Sequence, residues 1–204
     1  NIIFKGSLGD SYITEQPVVT EIGARVGATI RLAIASTIVA ICLGIPLGIV
    51  SAIKQYSIFD HITMIFALIG LSMPVFWLGL LTILLFSVKL GWFPSSGFSG
   101  FKHMVLPALA LGAQSVAVLT RMTRSSMLET IRQDYIRTAR AKGQKEQIVI
   151  FKHALGNSLI PVITIVGIQF GQLMGGAVMT EIIFSIPGIG RLMIDSIKLR
   201  DAPV

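Results

Sequence analysis

The sequence predicts an all-helical, polytopic membrane protein, and three observations predict it. Of its 204 residues, 53% are hydrophobic and only 13% charged, against about 25% charged in a typical soluble domain. Four stretches, 32–53, 62–88, 104–120 and 154–180, run 22, 27, 17 and 27 residues without a charge, and roughly 20 apolar residues of helix cross a hydrocarbon core. Finally, eight of the seventeen Lys and Arg are gathered in 121–153 together with three acidic residues. At about 2.5–3.5 kcal/mol per charge at a helix centre, that segment cannot lie in hydrocarbon, and basic loops collect on the cytoplasmic side.

The elements follow in order within one transmembrane domain, 1–204. Residues 1–28 are mixed, with Gly6, Gly9 and Pro17 as breakers, and read as an external loop leading into a helix. The first span is 29–53, bearing Gly44, Pro46 and Gly48; 54–61 turns the chain, and 62–88 is a second, long or tilted span with Pro74 near its middle. Residues 89–103 form an outer surface loop, with Trp92 and Phe93 where an aromatic belt sits. The third span is 104–124; it is short in uncharged residues, but Arg121 and Arg124 can snorkel at its far end. The basic segment 125–153 is the cytoplasmic loop, 154–180 the fourth span, and 181–204 an external segment interrupted by Pro and Gly.

Composition excludes several function classes. The net charge of +7 is one loop carrying a net five plus two lysines in 89–103, which fits topology and a protein partner and argues against nucleic acid. Cys42 is alone, so no intramolecular disulfide or cysteine metal site is possible. There is no glycine-rich phosphate loop ending in Gly-Lys-Ser/Thr, so ATP is not bound in that way. His61, His103 and His153 stand at span edges far apart in sequence, which leaves no metal site and no catalytic base for Ser72. No catalytic residue is assigned.

Within the basic segment the local chemistry describes an elbow. Asp134 can cap a short helix over 135–142, and Gly143 can end it in a left-handed conformation. A second helix runs from about Gln144 into the membrane, with Ile148, Phe151 and Leu155 on one apolar stripe. Such an element can seat in a partner's groove and pass a push to the span behind it; equally, an amphipathic helix of this kind can lie on lipid headgroups.

The residues YIRTARAKGQKEQIVIFKHAL, 135–155, resemble the conserved cytoplasmic loop of ABC-importer permeases, whose pattern is E-A-A, three residues, Gly, nine residues, I-x-L-P. Arg137, Thr138 and Ala139 stand at the E-A-A positions, Gly143 is the glycine, and His153, Leu155 and Gly156 take the places of Ile, Leu and Pro. The form RTARAKG, preceded by DY and followed by HAL, is similar to that of the peptide and nickel branch. GDSYIT, IPLGI, SIFDH, LSMPVFWLG, RMTRSSMLE and TEIIFSIPGIGRLMIDSI extend the resemblance over nearly the whole chain.

The resemblance implies a type I ABC-importer transmembrane domain of six spans, four of them visible here, in the inner membrane of a prokaryote. It implies a permease without enzymatic activity, paired with a second homologous permease, two ABC ATPase subunits that bind ATP and Mg, an external substrate-binding protein and membrane lipid. Arg137, Thr138, Ala139, Gly143, His153 and Leu155 would then couple transport to the ATPases. Oligopeptides or dipeptides are the implied cargo, with nickel or another small solute as the alternative; a stand-alone channel or ion-driven carrier is the rival outside this class.

Polar residues inside spans are costly to strand in lipid and face other helices or a cavity. Gln114, Gln169 and Gln172 meet that description and are candidates for the translocation path, or for hydrogen bonds between helices. Gly44 with Gly48, and Gly167 with Gly171 and Gly175, form stripes at four-residue spacing that predict close helix packing.

Overall fold

A computed structural model describes residues 8–204, which are helical throughout their length apart from turns and connecting loops. The helices are α1 (Val18–Ile53), α2 (Ile58–Ser72), α3 (Val75–Lys89), α4 (Phe101–Ile131), α5 (Asp134–Ala141), α6 (Glu146–Gly176), α7 (Val178–Ile183) and α8 (Ile189–Leu199). α1, α4 and α6 are each long and apolar enough to cross a membrane. Their internal prolines, Pro46, Pro107 and Pro161, leave each helix unbroken.

The stretch 62–88 departs from the single span expected of it. α2 stops at Ser72 and α3 starts at Val75, because Pro74 has no N–H to continue the ladder and pushes the preceding residue out of helical space. Met73 is accordingly extended, at φ −82° and ψ 130°. The start of α2 is set by Ser57, whose hydroxyl accepts a hydrogen bond from the Asp60 N–H at 3.2 Å.

Two further boundaries differ. α1 begins at Val18, inside the stretch expected to be loop, immediately after Pro17, whose carbonyl accepts from the Thr20 N–H at 2.9 Å. α4 runs on to Ile131, well past residue 124, since RSSMLETI holds no glycine or proline to stop it.

The chain divides into two compact units. The first comprises residues up to Ser36, Val75–Leu111 and Gln172–Val204. In it the expected external tail is two short helices around a buried core of Phe184 and Ile186. Gly79 lies against Phe184; a Cβ there would meet its ring at 3.3 Å. Glu181, fully buried, accepts hydrogen bonds from the Thr29 hydroxyl at 2.6 Å and the Arg191 N–H at 3.0 Å. Gly188 leaves the space its carboxylate fills. Asp201, also buried, accepts from the Ser11 hydroxyl and from the Tyr12 N–H at 2.9 Å.

The second unit comprises Thr37–Pro74 and Gly112–Gly171. Here α1 and α4 approach closely through Gly44 and Gly48: a Cβ on Gly48 would stand 2.6 Å from the Thr123 Cβ and 2.7 Å from the Thr120 carbonyl oxygen. The other glycine stripe behaves differently. Gly167, Gly171 and Gly175 have open space where a Cβ would be, so the packing predicted for them is absent among the described residues. Spacing puts small residues on one face of a helix; it does not supply a neighbour.

Candidate functional site

The elbow lies wholly within the second unit. α5 starts one residue earlier than expected: Asp134 is its first residue and not its cap, and the preceding Gln133 is extended at ψ 150° with its carbonyl accepting from the Ile136 and Arg137 N–H groups. Asp134 instead sits in the first turn, where a carboxylate favours the positive end of the helix. Ile136 and Ala139, three apart, are buried against Ala52, Met127, Val149 and Ala154. This cluster fixes α5 to residues of α1, α4 and α6 at once.

Gly143 has the left-handed conformation expected of it, with φ +75°, and its N–H bonds the Arg140 carbonyl at 2.9 Å. α6 then starts at Glu146, slightly later than Gln144, after an extended Lys145 at ψ 137°. A bidentate ion pair closes the corner: Arg140 Nη2 reaches Glu146 Oε1 at 2.7 Å, and its Nε reaches Oε2 at 3.1 Å. Hydrogen bonding to Glu146 holds the Arg140 guanidinium above its ordinary pKa. His153 Nε2 lies 2.8 Å from Gln144 Oε1, and Asn157 Nδ2 donates to the Tyr135 hydroxyl at 2.9 Å. The corner is therefore braced on both sides.

Of the six coupling candidates, Ala139 and Leu155 pack into or against the cluster. Arg137 and Thr138 are exposed on the outer side of α5, Arg137 at 3.6 Å from Asp134 and Thr138 donating to the Asp134 carbonyl at 2.9 Å. Gly143 has no atom within 4 Å of a built Cβ, so only its backbone angle demands glycine. The apolar stripe is divided: Ile148 and Phe151 are 43% and 59% exposed, while Leu155 faces inward. Over Val149–Ala154 the helix widens to π geometry, which turns the following residues relative to a straight α-helix.

A second constellation stands behind the elbow that the sequence reasoning did not find. Arg124 on α4 grips Asp60 at the start of α2 through Nε at 2.6 Å and Nη2 at 2.7 Å. The same carboxylate accepts from the Ser51 hydroxyl at the end of α1 and from the Tyr56 N–H at 3.0 Å. The end of α1, the start of α2 and a point two turns inside α4 are thus tied to one carboxyl group whose side chain is 4% exposed. A signal existed: Asp60 is the only acidic residue between Glu21 and Glu129.

Two of the path candidates are engaged by hydrogen bonds within the second unit. Gln114 Nε2 donates to the Met73 carbonyl at 3.2 Å, an acceptor freed where α2 is interrupted. Gln169 Nε2 donates to the Ser115 hydroxyl at 3.1 Å. Gln172 is exposed. Among the described residues no group of His, Cys, Asp and Glu could hold a metal ion.

Against known proteins, residues 44–204 match the family described as binding-protein-dependent transport system inner membrane component. The chain is 46% identical to the dipeptide transport system permease protein DppB of Alkalihalophilus pseudofirmus, over 98% of this chain and 68% of that protein. It is 46% identical to the glutathione transport system permease protein GsiC of Pectobacterium atrosepticum, over 99% and 66%, and 45% identical to the di/tripeptide permease DppB of Pseudomonas aeruginosa, over 98% and 68%. The chain therefore spans about two thirds of the length of these relatives. In structure it is similar to the MetNI methionine ABC transporter in an inward-facing conformation, at a TM-score of 0.71 and 19% identity over 87% of this chain and 81% of that one. That likeness supports the fold expected of it. With the family covering most of its length and the fold agreeing, the chain belongs to the inner-membrane permease components of binding-protein-dependent ABC importers, which are transport subunits and not enzymes.

Proposed function

We propose that the chain is the permease of an ATP-driven importer of short peptides, forming the path together with a second permease and working with two ATPase subunits and an external binding protein. ATP and Mg belong to the ATPases. The cargo assignment is supported by relatives named for dipeptide, di/tripeptide and glutathione transport; nickel, the alternative in this branch, is named by none of them.

The observation that carries the mechanism is the braced corner at Gly143. α5 presents Arg137 and Thr138 outward while Ile136 and Ala139 bind it to the ends of α1, α4 and α6. A partner gripping the outer face moves the three helix ends as one body, because a close-packed cluster transmits displacement instead of absorbing it. The exposed Ile148 and Phe151 offer the apolar contact that such a grip needs. Uptake of dialanine into proteoliposomes holding the full set of subunits tests the reading: it should require ATP, the ATPases and the binding protein. Uptake by this subunit in the absence of ATPases would replace the importer by a stand-alone carrier.

A further inference from the structure

We infer that Arg121 is a cargo contact in the translocation path, where it receives the carboxylate of the peptide; the assignment rests on the importer reading above. α4 is covered along most of its length, with Leu106, Ala110, Leu111, Ala117 and Leu119 buried. Its cover then opens at Arg121, Ser125 and Glu129, which are exposed and lie four apart on one face.

The opening forms part of a groove of about 530 Å³, a size suited to a small molecule. Its walls are aliphatic side chains and methionines: Met64 and Leu71 from α2, Val118 and Met122 from α4, and Ile165 from α6. Its charged lining residues are Arg121 and Arg124, and Ser125 lines it with them.

The two arginines differ in what they can still bind. Arg124 is neutralised by the Asp60 carboxylate in a bidentate pair. Arg121 has no ion pair or hydrogen-bond partner from its side chain among the described residues, and it is the first charge after the uncharged run 104–120. A guanidinium with all its donors open, in the wall of an otherwise largely aliphatic groove, complements a ligand with an apolar body and a terminal carboxylate, since its planar fork matches that group bidentately. A short peptide has this form: its side chains would lie over Met64, Leu71 and Ile165 and its C-terminus at Arg121. A lipid phosphate has the same acceptor chemistry, and the experiment separates the two.

The assembled importer in proteoliposomes, with binding protein in excess and dialanine as cargo, is compared with its Arg121→Gln, Arg121→Lys and Arg121→Glu variants. Losing a charge-assisted contact should lower dialanine moved per ATP hydrolysed by about tenfold in Arg121→Gln. Arg121→Glu should fall further, Arg121→Lys, which keeps the charge but not the bidentate fork, should recover only part of the loss, and the pattern should be the same in pure phosphatidylcholine vesicles as in vesicles containing phosphatidylglycerol. The inference is overturned by an Arg121→Gln importer that matches the wild type. It is equally overturned by a loss confined to vesicles with phosphatidylglycerol, which assigns Arg121 to lipid, or by uptake and hydrolysis falling together at a constant ratio, which assigns it to assembly. A wild-type importer with no ATP-dependent dialanine uptake removes the importer reading itself and this inference with it.

Discussion

Replacing Asp60 by Asn changes one atom type in the side chain and little of its outline, yet it should loosen the joint behind the elbow. The carboxylate accepts four hydrogen bonds: two from Arg124, one from the Ser51 hydroxyl and one from the Tyr56 N–H. An amide offers a single acceptor oxygen, and its NH2 group would face donors. Whichever way Asn turns, the Arg124 guanidinium loses its counter-charge while only 23% exposed. Breaking a buried pair on one side costs about 3–5 kcal/mol, and the partial exposure of Arg124 argues for the lower end. About 3 kcal/mol is roughly a 100-fold rise in the local opening equilibrium.

Hydrogen exchange on the purified importer reads that quantity directly at the amides of Tyr56 and His61, which bond Asp60 Oδ2 and the Ser57 carbonyl. Both should exchange about 100-fold faster in Asp60→Asn. The double variant Asp60→Asn/Arg124→Met, which leaves no charge behind, should recover most of the protection, because removing both partners is far less costly than stranding one. An acceleration below about threefold, or a double variant no better protected than the single one, would refute the claim that this pair holds α1, α2 and α4 together.

Gly143→Val should leave the subunit in the membrane but uncouple dialanine uptake from ATP hydrolysis, since a β-branched residue is strained at φ +75°; wild-type uptake by that variant would remove the role given to the corner. Gly48→Ala should lower thermal stability by about 1–3 kcal/mol through overpacking, because its Cβ would fall 2.6 Å from that of Thr123. Gly171→Ala, with open space around it, should be neutral or slightly stabilising in the same melting assay. Arg140→Ala should cost no more than about 1 kcal/mol, a loss that shrinks in high salt, because both partners of its pair with Glu146 are substantially solvated.

Much of the architecture could be read in the residues because hydrocarbon is an unforgiving solvent. An uncharged run of span length leaves the backbone few choices, so three of the apolar stretches lie in α1, in α2 with α3 and in α4, while the fourth, expected over 154–180, fills α6 to Gly176 and then breaks at Ala177 before α7. Gly143 was legible for a similar reason: one residue type dominates the left-handed region, and it stood where a basic helix had to end. What could not be read was partnership. The glycines 44 and 48 and the glycines 167, 171 and 175 share one spacing, yet the first pair is packed and the second group is open. Gln114 and Gln169 were drawn toward the path by their polarity, whereas an interrupted helix and a serine hydroxyl receive their hydrogen bonds. Neither outcome depends on the local sequence alone.

The acidic residues carry this point furthest. Hydropathy assigns Asp60, Glu181 and Asp201 to watery segments at the edges of spans, yet all three are buried. Burying a carboxylate without compensation costs several kcal/mol, so each must find donors, and each finds them far along the chain. Asp60 takes a guanidinium 64 positions away, Asp201 the Ser11 hydroxyl 190 away, and Glu181 the Thr29 hydroxyl 152 away. Glu181 has no cation among the partners resolved for it; it accepts from the first turn of α8 through the Arg191 N–H, while the Ile189 N–H donates to the same Thr29 oxygen that donates to Glu181. Free amides at a helix start do the work of a positive charge there. Gly188 is then required for space, since any side chain would occupy the position of the carboxylate. In a chain with only ten acidic residues, an isolated acid at the margin of an apolar run is better read as the fastening of two distant segments than as the mark of a loop.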